Sequence, residues 1–386
     1  MQRRAFIRLV GGGAVVAATL PLAACDSGIP AAALTPWQGP GDEPDLRRWI
    51  LGHAILAPHS HNLQSWLVDL RRPGEILLRC DLTRLLPETD PYSRQIMMSQ
   101  GTFIELLDLA ARERGQRAEI RLFPEGEFGS EKIDDRPVAL IRLTEDAGVS
   151  KDPLFSQILK RHTNRSVYDL QRPVPAAAWQ AMSEAVQPHP LRFGFVGSDQ
   201  GAEIRTHREI ANAAWRIELT TPRAMLESYK VLRVGAEEIA QHRDGLSLTD
   251  PMVVWMTRLG LFDRSQAPGP DDFATTSQIK DFGEKIASTP GFLWMVSQGN
   301  DRVTQVNAGR AFARVQLAAT AHGVVMQPLQ QALQEYPEQA RPYAAIRQLL
   351  EAPAPAQTIQ MWARVGFAPP VQPAPRRGLA AHLVAG

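Results

Sequence analysis

The chain has 386 residues, 44% hydrophobic and 22% charged, with a formal net charge of +1. That length suits one large domain or two medium ones, and the composition is that of an ordinary globular protein. No basic stripe is present to follow a phosphate backbone, so nucleic acid is not an expected partner. The two cysteines, Cys25 and Cys80, are too few for a disulfide framework.

The N-terminus reads as an address rather than as part of the fold. Gln2-Arg3-Arg4-Ala5-Phe6-Ile7-Arg8 has the form of a twin-arginine export signal. The apolar stretch behind it, residues 9–22, falls short of the ~20 residues a spanning helix needs. Leu22-Ala23-Ala24-Cys25 then reads as a lipobox, with residues 1–24 removed and Cys25 acylated. The plainer alternative is an ordinary signal peptide in which Cys25 falls near the cut by chance. The expected location is the cell envelope or periplasm, with the protein anchored to the membrane through Cys25. Twin-arginine cargo crosses folded and often cofactor-loaded, so a cofactor is expected. Cys80 closes a strand-like run and reads as a buried, inert thiol.

Residues 25–44 are rich in Pro, Gly and Ala and read as a tether. A first half follows at 45–150. Helical spacing of Leu46, Trp49, Ile50, His53 and Ala54 predicts a helix that stops at Ala57-Pro58. Residues 65–70 and 75–80 read as strands, 102–114 as an apolar helix closing at Gly115, and 118–123 and 137–143 as strands. The second half, 151–386, begins with a helix at 154–160, then a helix after Pro175 and an alternating strand at 191–196. A long helix at 308–322 precedes strands at 324–327 and 357–367. Helix, strand, long helix, strand, strand thus occurs twice without evident sequence identity between the halves. Extra material at about 203–298 carries Trp215, Met225, Tyr229, Trp255 and Met256. It reads equally as a lid, a partner-facing excursion or a packing insertion.

Four segments carry donors of one kind of chemistry. Ala57-Pro58-His59-Ser60-His61-Asn62-Leu63-Gln64-Ser65-Trp66 offers amides able both to donate and to accept. Lys160-Arg161-His162-Thr163-Asn164-Arg165 offers planar forked donors suited to phosphate or a ring carbonyl. Residues 308–333 form a helix and the turn after it, and Ala363-Arg364 with Pro375-Arg376-Arg377 close the chain. The three histidines His53, His59 and His61 lack the i, i+4 spacing of a helical zinc pair, and no metal site is expected.

These segments resemble the signatures of the FMN-dependent nitroreductases, across most of residues 47–379. They depart from the family pattern at His59 and Ser65. The resemblance implies an α+β fold, two related half-domains fused into an internal pseudo-dimer, with one FMN. The cofactor-binding residues it implies are Ser60, Asn62 and Gln64 for the ring edge and Arg161, His162, Thr163 and Arg165 from the arginine motif. It adds Pro328, Leu329, Gln330 and Gln331 beside the flavin N5, and Arg376 and Arg377 at the phosphate. The first half then supplies only the Asn/Gln segment, and the second half everything else. The implied activity is reduction of small electron-poor organics, nitroaromatics or quinones, with NAD(P)H as a candidate donor and the flavin rather than a side chain as catalyst. The chain is expected as a monomer or homodimer. A rival reading is a protein that holds FMN without turnover.

Overall fold

The computed structural model describes residues 28–384. The export signal and Cys25 lie outside them. The segment read as a tether is folded where it is described. Ala31–Leu34 forms a short helix (α1) and Thr35–Gln38 a 3-10 turn that buries Trp37. Composition suggested a solvated linker, but one large aromatic side chain docked on the domain overrides it.

The first half is built from α2 (Leu46–Ala54), β1 (Trp66–Asp69), β2 (Glu75–Cys80), α3 (Arg94–Glu113), β3 (Gln116–Leu122) and β4 (Ala139–Glu145). Its antiparallel sheet has the order β1-β2-β4-β3. Helix α2 starts where the Asp45 carboxylate accepts from the Arg48 N–H. At the start of α3 the two Asp90 oxygens accept from Gln95 and Ile96.

The second half runs through α4 (Ala176–Val186) and β5 (Leu191–Val196) into an insertion. The insertion contains α5 (Gly201–Thr220), α6 (Pro222–Lys230), β6 (Leu232–Val234), α7 (Gly235–His242), β7 (Leu246–Leu248), α8 (Pro251–Arg258) and α9 (Phe273–Ala287). The half resumes with β8 (Gly291–Gln298), α10 (Arg302–Ala321), β9 (Val325–Pro328), α11 (Ala340–Leu349) and β10 (Gln357–Gly366). Its sheet has the order β5-β8-β10-β9. Strand for strand this is the connectivity of the first sheet, with α10 in the place of α3. The fold class is therefore α+β, and the repeat contains one strand more than the sequence suggested. That strand, β8, had been absorbed into the insertion.

The insertion enters between the first two strands of the second sheet and covers its outer face. Phe292, Trp294 and Val296 of β8 pack against α5 and α9, while Leu293 and Met295 face α10. Burial on both faces explains the unbroken apolar run of β8. In the first sheet β3 instead alternates half-buried and exposed residues.

Helices α3 and α10, each 20 residues long, cross at the centre of the molecule. A Cβ on Gly101 would lie 1.9 Å from the Val306 carbonyl oxygen, and one on Gly309 1.8 Å from that of Met98. Gly101 and Gly309 hold the same position in their helices, as do Met98 and Val306. Reciprocal contact between equivalent residues is the mark of a two-fold relation. Aligned this way, Arg94 falls on Arg302, Leu109 on Leu317, Ala110 on Ala318 and Ala111 on Ala319. Identity between the halves thus survives along the crossing helices. Both arginines reach into the opposite half. Arg94 donates to the Leu333 carbonyl (2.7 Å), and Arg302 to those of Tyr92 (2.6 Å) and Gly129 (2.9 Å).

Candidate functional site

The segment from Ala57 to Trp66 links α2 to β1 in a tight, unusual path. His61, Asn62 and Gln64 have φ of 49°, 55° and 56°. Left-handed backbone at a non-glycine residue costs on the order of 1–3 kcal/mol and persists where surroundings over-determine it. Here the restraint comes from the C-terminal segment and from the insertion. The Asn62 amide donates to the carbonyls of Pro375 (3.0 Å) and Gly245 (3.3 Å), and its oxygen accepts from Arg376. Gln64, fully buried, donates to the Arg243 carbonyl (2.9 Å) and accepts from the Arg377 N–H (2.9 Å). Arg377 also donates to the Gln64 carbonyl.

Arg161 and Arg376 come together beneath Trp37. Arg161 is 2% and Arg376 3% exposed, and their guanidiniums lie 5.5 Å and 5.1 Å from the Trp37 ring centre. Arg161 donates to Gln316 Oε1 (3.0 Å) and the Leu56 carbonyl (2.8 Å). Arg376 donates to Asn62 Oδ1 and to the carbonyls of Ala57 (3.0 Å) and Pro375 (3.0 Å). All of these acceptors are neutral. Burial lowers the Arg161 pKa to about 10. It lowers that of Arg376 well below its usual value, with a contribution from the Arg161 charge. The Nε atoms of Arg161, Arg376 and Arg377 and Nδ1 of His162 are buried without an acceptor among the described residues. His162 stands edge-on to Trp37 at 5.2 Å.

Further donors border this cluster. Ser60, His61 and Thr163 are half-buried and Arg165 is exposed. Burial is nonetheless the largest influence on His61, which it lowers to about 4, and on Arg165, which it also lowers. Arg165 makes no hydrogen bond or ion pair among the described residues. His59 is not available in the same way. Its Nε2 accepts from the Ser65 N–H (3.1 Å) and its Nδ1 faces the Ser60 carbonyl (2.8 Å), which fixes a neutral ring with its proton on Nδ1.

The turn after β9 is tied to the arginine motif, because the Asn164 N–H donates to the Met326 carbonyl (3.1 Å). Within the turn, the Leu329 N–H is committed to the Trp362 carbonyl (2.8 Å), and Pro328 has no N–H. The N–H groups of Gln330 and Gln331 open the 3-10 helix Gln330–Leu333, where no intrahelical acceptor exists. The insertion backs this turn with Glu218, which accepts from Gln334 (2.8 Å) and is pushed up to about 7 by burial.

Sequence reasoning thus brought Asn62, Gln64, Arg161, Arg376 and Arg377 to one place and set His162, Thr163 and Arg165 beside them. It did not assign Asn62 and Gln64 their partners, which are the chain's own carbonyls and arginines. It missed Trp37, Gln316 and Glu218. Only Trp37, a lone aromatic in a Pro/Gly/Ala segment, left any trace.

The symmetry-related position is filled differently. A cavity of about 320 Å³ is lined there by Pro188, His189, Asn307, Arg310, Arg314 and the acids facing them. Asn307 and Arg310 correspond to Ser99 and Thr102, which bind the Ser60 N–H (3.1 Å) and the Pro58 carbonyl (2.6 Å). Here, however, the cations are matched. Arg310 pairs with Glu105 (2.8 Å) and Asp108 (3.2 Å), and Arg314 with Glu105 (2.8 Å) and Asp152 (2.8 Å).

The chain is similar to a nitroreductase. Over 344 residues it is 26% identical to a protein provisionally named NAD(P)H nitroreductase in Mycobacterium tuberculosis, in each of two strains. The match covers 86% of this chain and 89% of the relative. No model of a known protein family matches. Among solved structures, the FMN-dependent nitroreductase NfnB of Mycobacterium smegmatis, in complex with NADPH, aligns at 18% identity and a TM-score of 0.38. That alignment covers 60% of this chain and 96% of the other. An FMN- and NADPH-dependent NfnB from a Sphingopyxis strain aligns at 17% identity and a TM-score of 0.38, covering 61% and 99%. These structural likenesses are too distant to bear on the assignment.

Proposed function

We propose that the chain is a flavoprotein oxidoreductase of the nitroreductase type, a fused pseudo-dimer that holds one FMN. The observation that carries this reading is the Arg161–Arg376 pair. Two buried guanidiniums with only neutral acceptors call for an anion, and their forked donors match a phosphate monoester. The symmetry-related position supplies its own acids, so one half-site is open to an anionic cofactor and the other is neutralised.

Arg161, Arg376 and Arg377 would hold the phosphate, with His162 and Thr163 beside them. Ser60, His61, Arg165 and the N–H groups of Gln330 and Gln331 are the donors left for the ring. Asn62 and Gln64 fit a different task. Their amides are committed, so they fix the Pro375–Arg377 segment beside Arg161 rather than read the ring edge. FMN when bound supplies two-electron hydride chemistry, while the protein supplies orientation and positive charge. Small electron-poor organics such as nitroaromatics or quinones are the substrate class, with NAD(P)H as donor. The chain is taken to be exported by the twin-arginine route and anchored through Cys25.

The test is anaerobic. NADPH should bleach the bound flavin, and a nitroaromatic or quinone should restore its colour at a rate that supports turnover. A second reading, that the chain holds FMN without turnover, is favoured by one feature. Arg243 and Gly245 of the insertion accept directly from Gln64 and Asn62 and cover that side of the arginine cluster. A flavin that neither NADPH nor dithionite followed by a nitroaromatic can cycle would establish it.

A further inference from the structure

Arg243, Asp244 and Gly245 link α7 to β7, and each of the three is bound to the first half. The Arg243 carbonyl accepts from the fully buried Gln64 amide (2.9 Å). Gly245 trades two bonds with Asn62, its N–H donating to the Asn62 carbonyl (3.1 Å) and its carbonyl accepting from the Asn62 amide (3.3 Å). Between them the Asp244 carboxylate, 1% exposed, pairs with Arg84, which lies between β2 and α3. A Cβ on Gly245 would lie 2.1 Å from the Val231 carbonyl oxygen, so this segment fits closely against the residue before β6.

Each charged or amide side chain in these ties has a substitute on its own side. Asp244 also pairs with Arg233 of β6 (2.9 Å), and β6 is hydrogen-bonded to β7, so that pair travels with the segment. Arg84 also pairs with Asp81 (3.2 Å). The Asn62 amide donates to the Pro375 carbonyl (3.0 Å), and the Gln64 amide has the Asn62 carbonyl at 3.3 Å. Parting buried polar groups is costly chiefly where it strands a charge or an amide without a partner. Here residues 243–245 can leave with none stranded, and their own backbone groups are then met by water. The closed contact is thus one of two arrangements in which every charge is paired.

We propose that residues 243–245 are a strap that opens when Asp244 parts from Arg84, and that this opening sets how fast an anion enters and leaves the arginine cluster. The inference rests on the reading that the cluster holds the FMN phosphate. The coupling runs through Asn62, whose Oδ1 accepts from Arg376, and Gln64, whose Oε1 accepts from the Arg377 N–H (2.9 Å). In the closed position both side chains are pinned between the strap's carbonyls and these two arginines. The opening is local, since among the described residues β6 and β7 pair only with each other and join neither large sheet.

Arg84→Gln removes the catch and leaves Asp244 with Arg233. In the flavin-free protein, hydrogen exchange at the amides of Gly245 and Arg377 should speed up about tenfold, while amides at the Gly101–Gly309 crossing keep their rates. FMN uptake and release should both speed up about tenfold with the affinity held within about threefold, because an opening that precedes both steps alters rates and not the equilibrium. Arg84→Lys, which keeps the positive charge, should stay near the wild-type rates. Faster exchange at the crossing as well would make Arg84 a stabiliser of the whole fold, and unchanged exchange at Gly245 would mean that Arg84 is no catch. Either result overturns the proposal, as does release of FMN from Arg84→Gln at the wild-type rate. A wild-type chain that takes up no FMN overturns the flavin reading and this proposal with it, so titration of the wild type tells the two failures apart.

Discussion

Gly101 lies against the carbonyl of Val306 just as Gly309 lies against the carbonyl of Met98. The equivalence of these two contacts ties the halves of the chain into one pseudo-symmetric body. It also shows where they differ. Ser99 and Thr102 on one helix hold the Pro58–Ser60 backbone beside the buried arginines, whereas Asn307 and Arg310 on the other line an ionic cluster.

The crossing makes a paired prediction. Gly101→Ala and Gly309→Ala each drive a methyl into backbone that cannot retreat without separating the helices. Each should lower stability by about 3 kcal/mol, at the upper end of overpacking costs. Because the contacts are equivalent, the two losses should agree, as read by urea denaturation of each variant. A large loss at one site only would break the symmetry argument.

The arginine pair predicts a response to anions. Millimolar inorganic phosphate should raise the melting temperature of the flavin-free protein and should not raise that of Arg376→Gln. FMN affinity should fall at least tenfold in Arg161→Gln and in Arg376→Gln, about 1.4 kcal/mol or more. The flavin-free variants should lose little stability, because removing one cation relieves the other. Titration of FMN into each protein checks the affinity.

Trp37 should be a structural cover rather than a loose residue of a linker. Trp37→Ala should cost about 3–5 kcal/mol, the range for deleting a buried aromatic. Trp37→Phe should cost far less, losing chiefly the bond from Nε1–H to the Ala374 carbonyl (2.8 Å). Limited proteolysis reports the same event, since the alanine variant should be cut within residues 28–44 before the rest of the chain.

Glu218 gives a pH dependence of defined sign. Burial raises its pKa to about 7 in the folded state. The folded protein then binds more protons than the unfolded chain between the ordinary glutamate range and about pH 7. Stability from this group is full below that window and falls as pH rises through it. The loss amounts to roughly 3 kcal/mol at pH 8. Glu218→Gln should melt higher than the wild type at pH 8 and alike at pH 4.5. Equal melting temperatures of the two proteins at pH 8 would refute it.

Several elements were legible from the sequence because local signals and burial agree there. Strand β2, helix α4 and strand β5 match their expected bounds. The starts of α3 and α10 did not show. Arg94, Gln95, Ser99 and Gln100 are polar yet buried at the helix crossing, so hydrophobic periodicity places the start of α3 too late. Strand β8 vanished into the insertion because a run buried on both faces has no alternation to read. At the site, the residue types of Asn62 and Gln64 pointed to recognition. Their actual partners, Gly245, Pro375, Arg243 and Arg377, come from distant segments that one-dimensional reading cannot bring together. Likewise, nothing local to Arg161 reveals that it has only neutral acceptors.

The central claim is one flavin site per chain, at the Arg161–Arg376 pair, with the Arg310–Arg314 cluster neutralised by its own acids. The most direct test is the visible spectrum of the purified protein, with FMN released and counted against chain concentration. One FMN per chain is the predicted result. Two per chain, or none even after adding FMN to the purified protein, would contradict it.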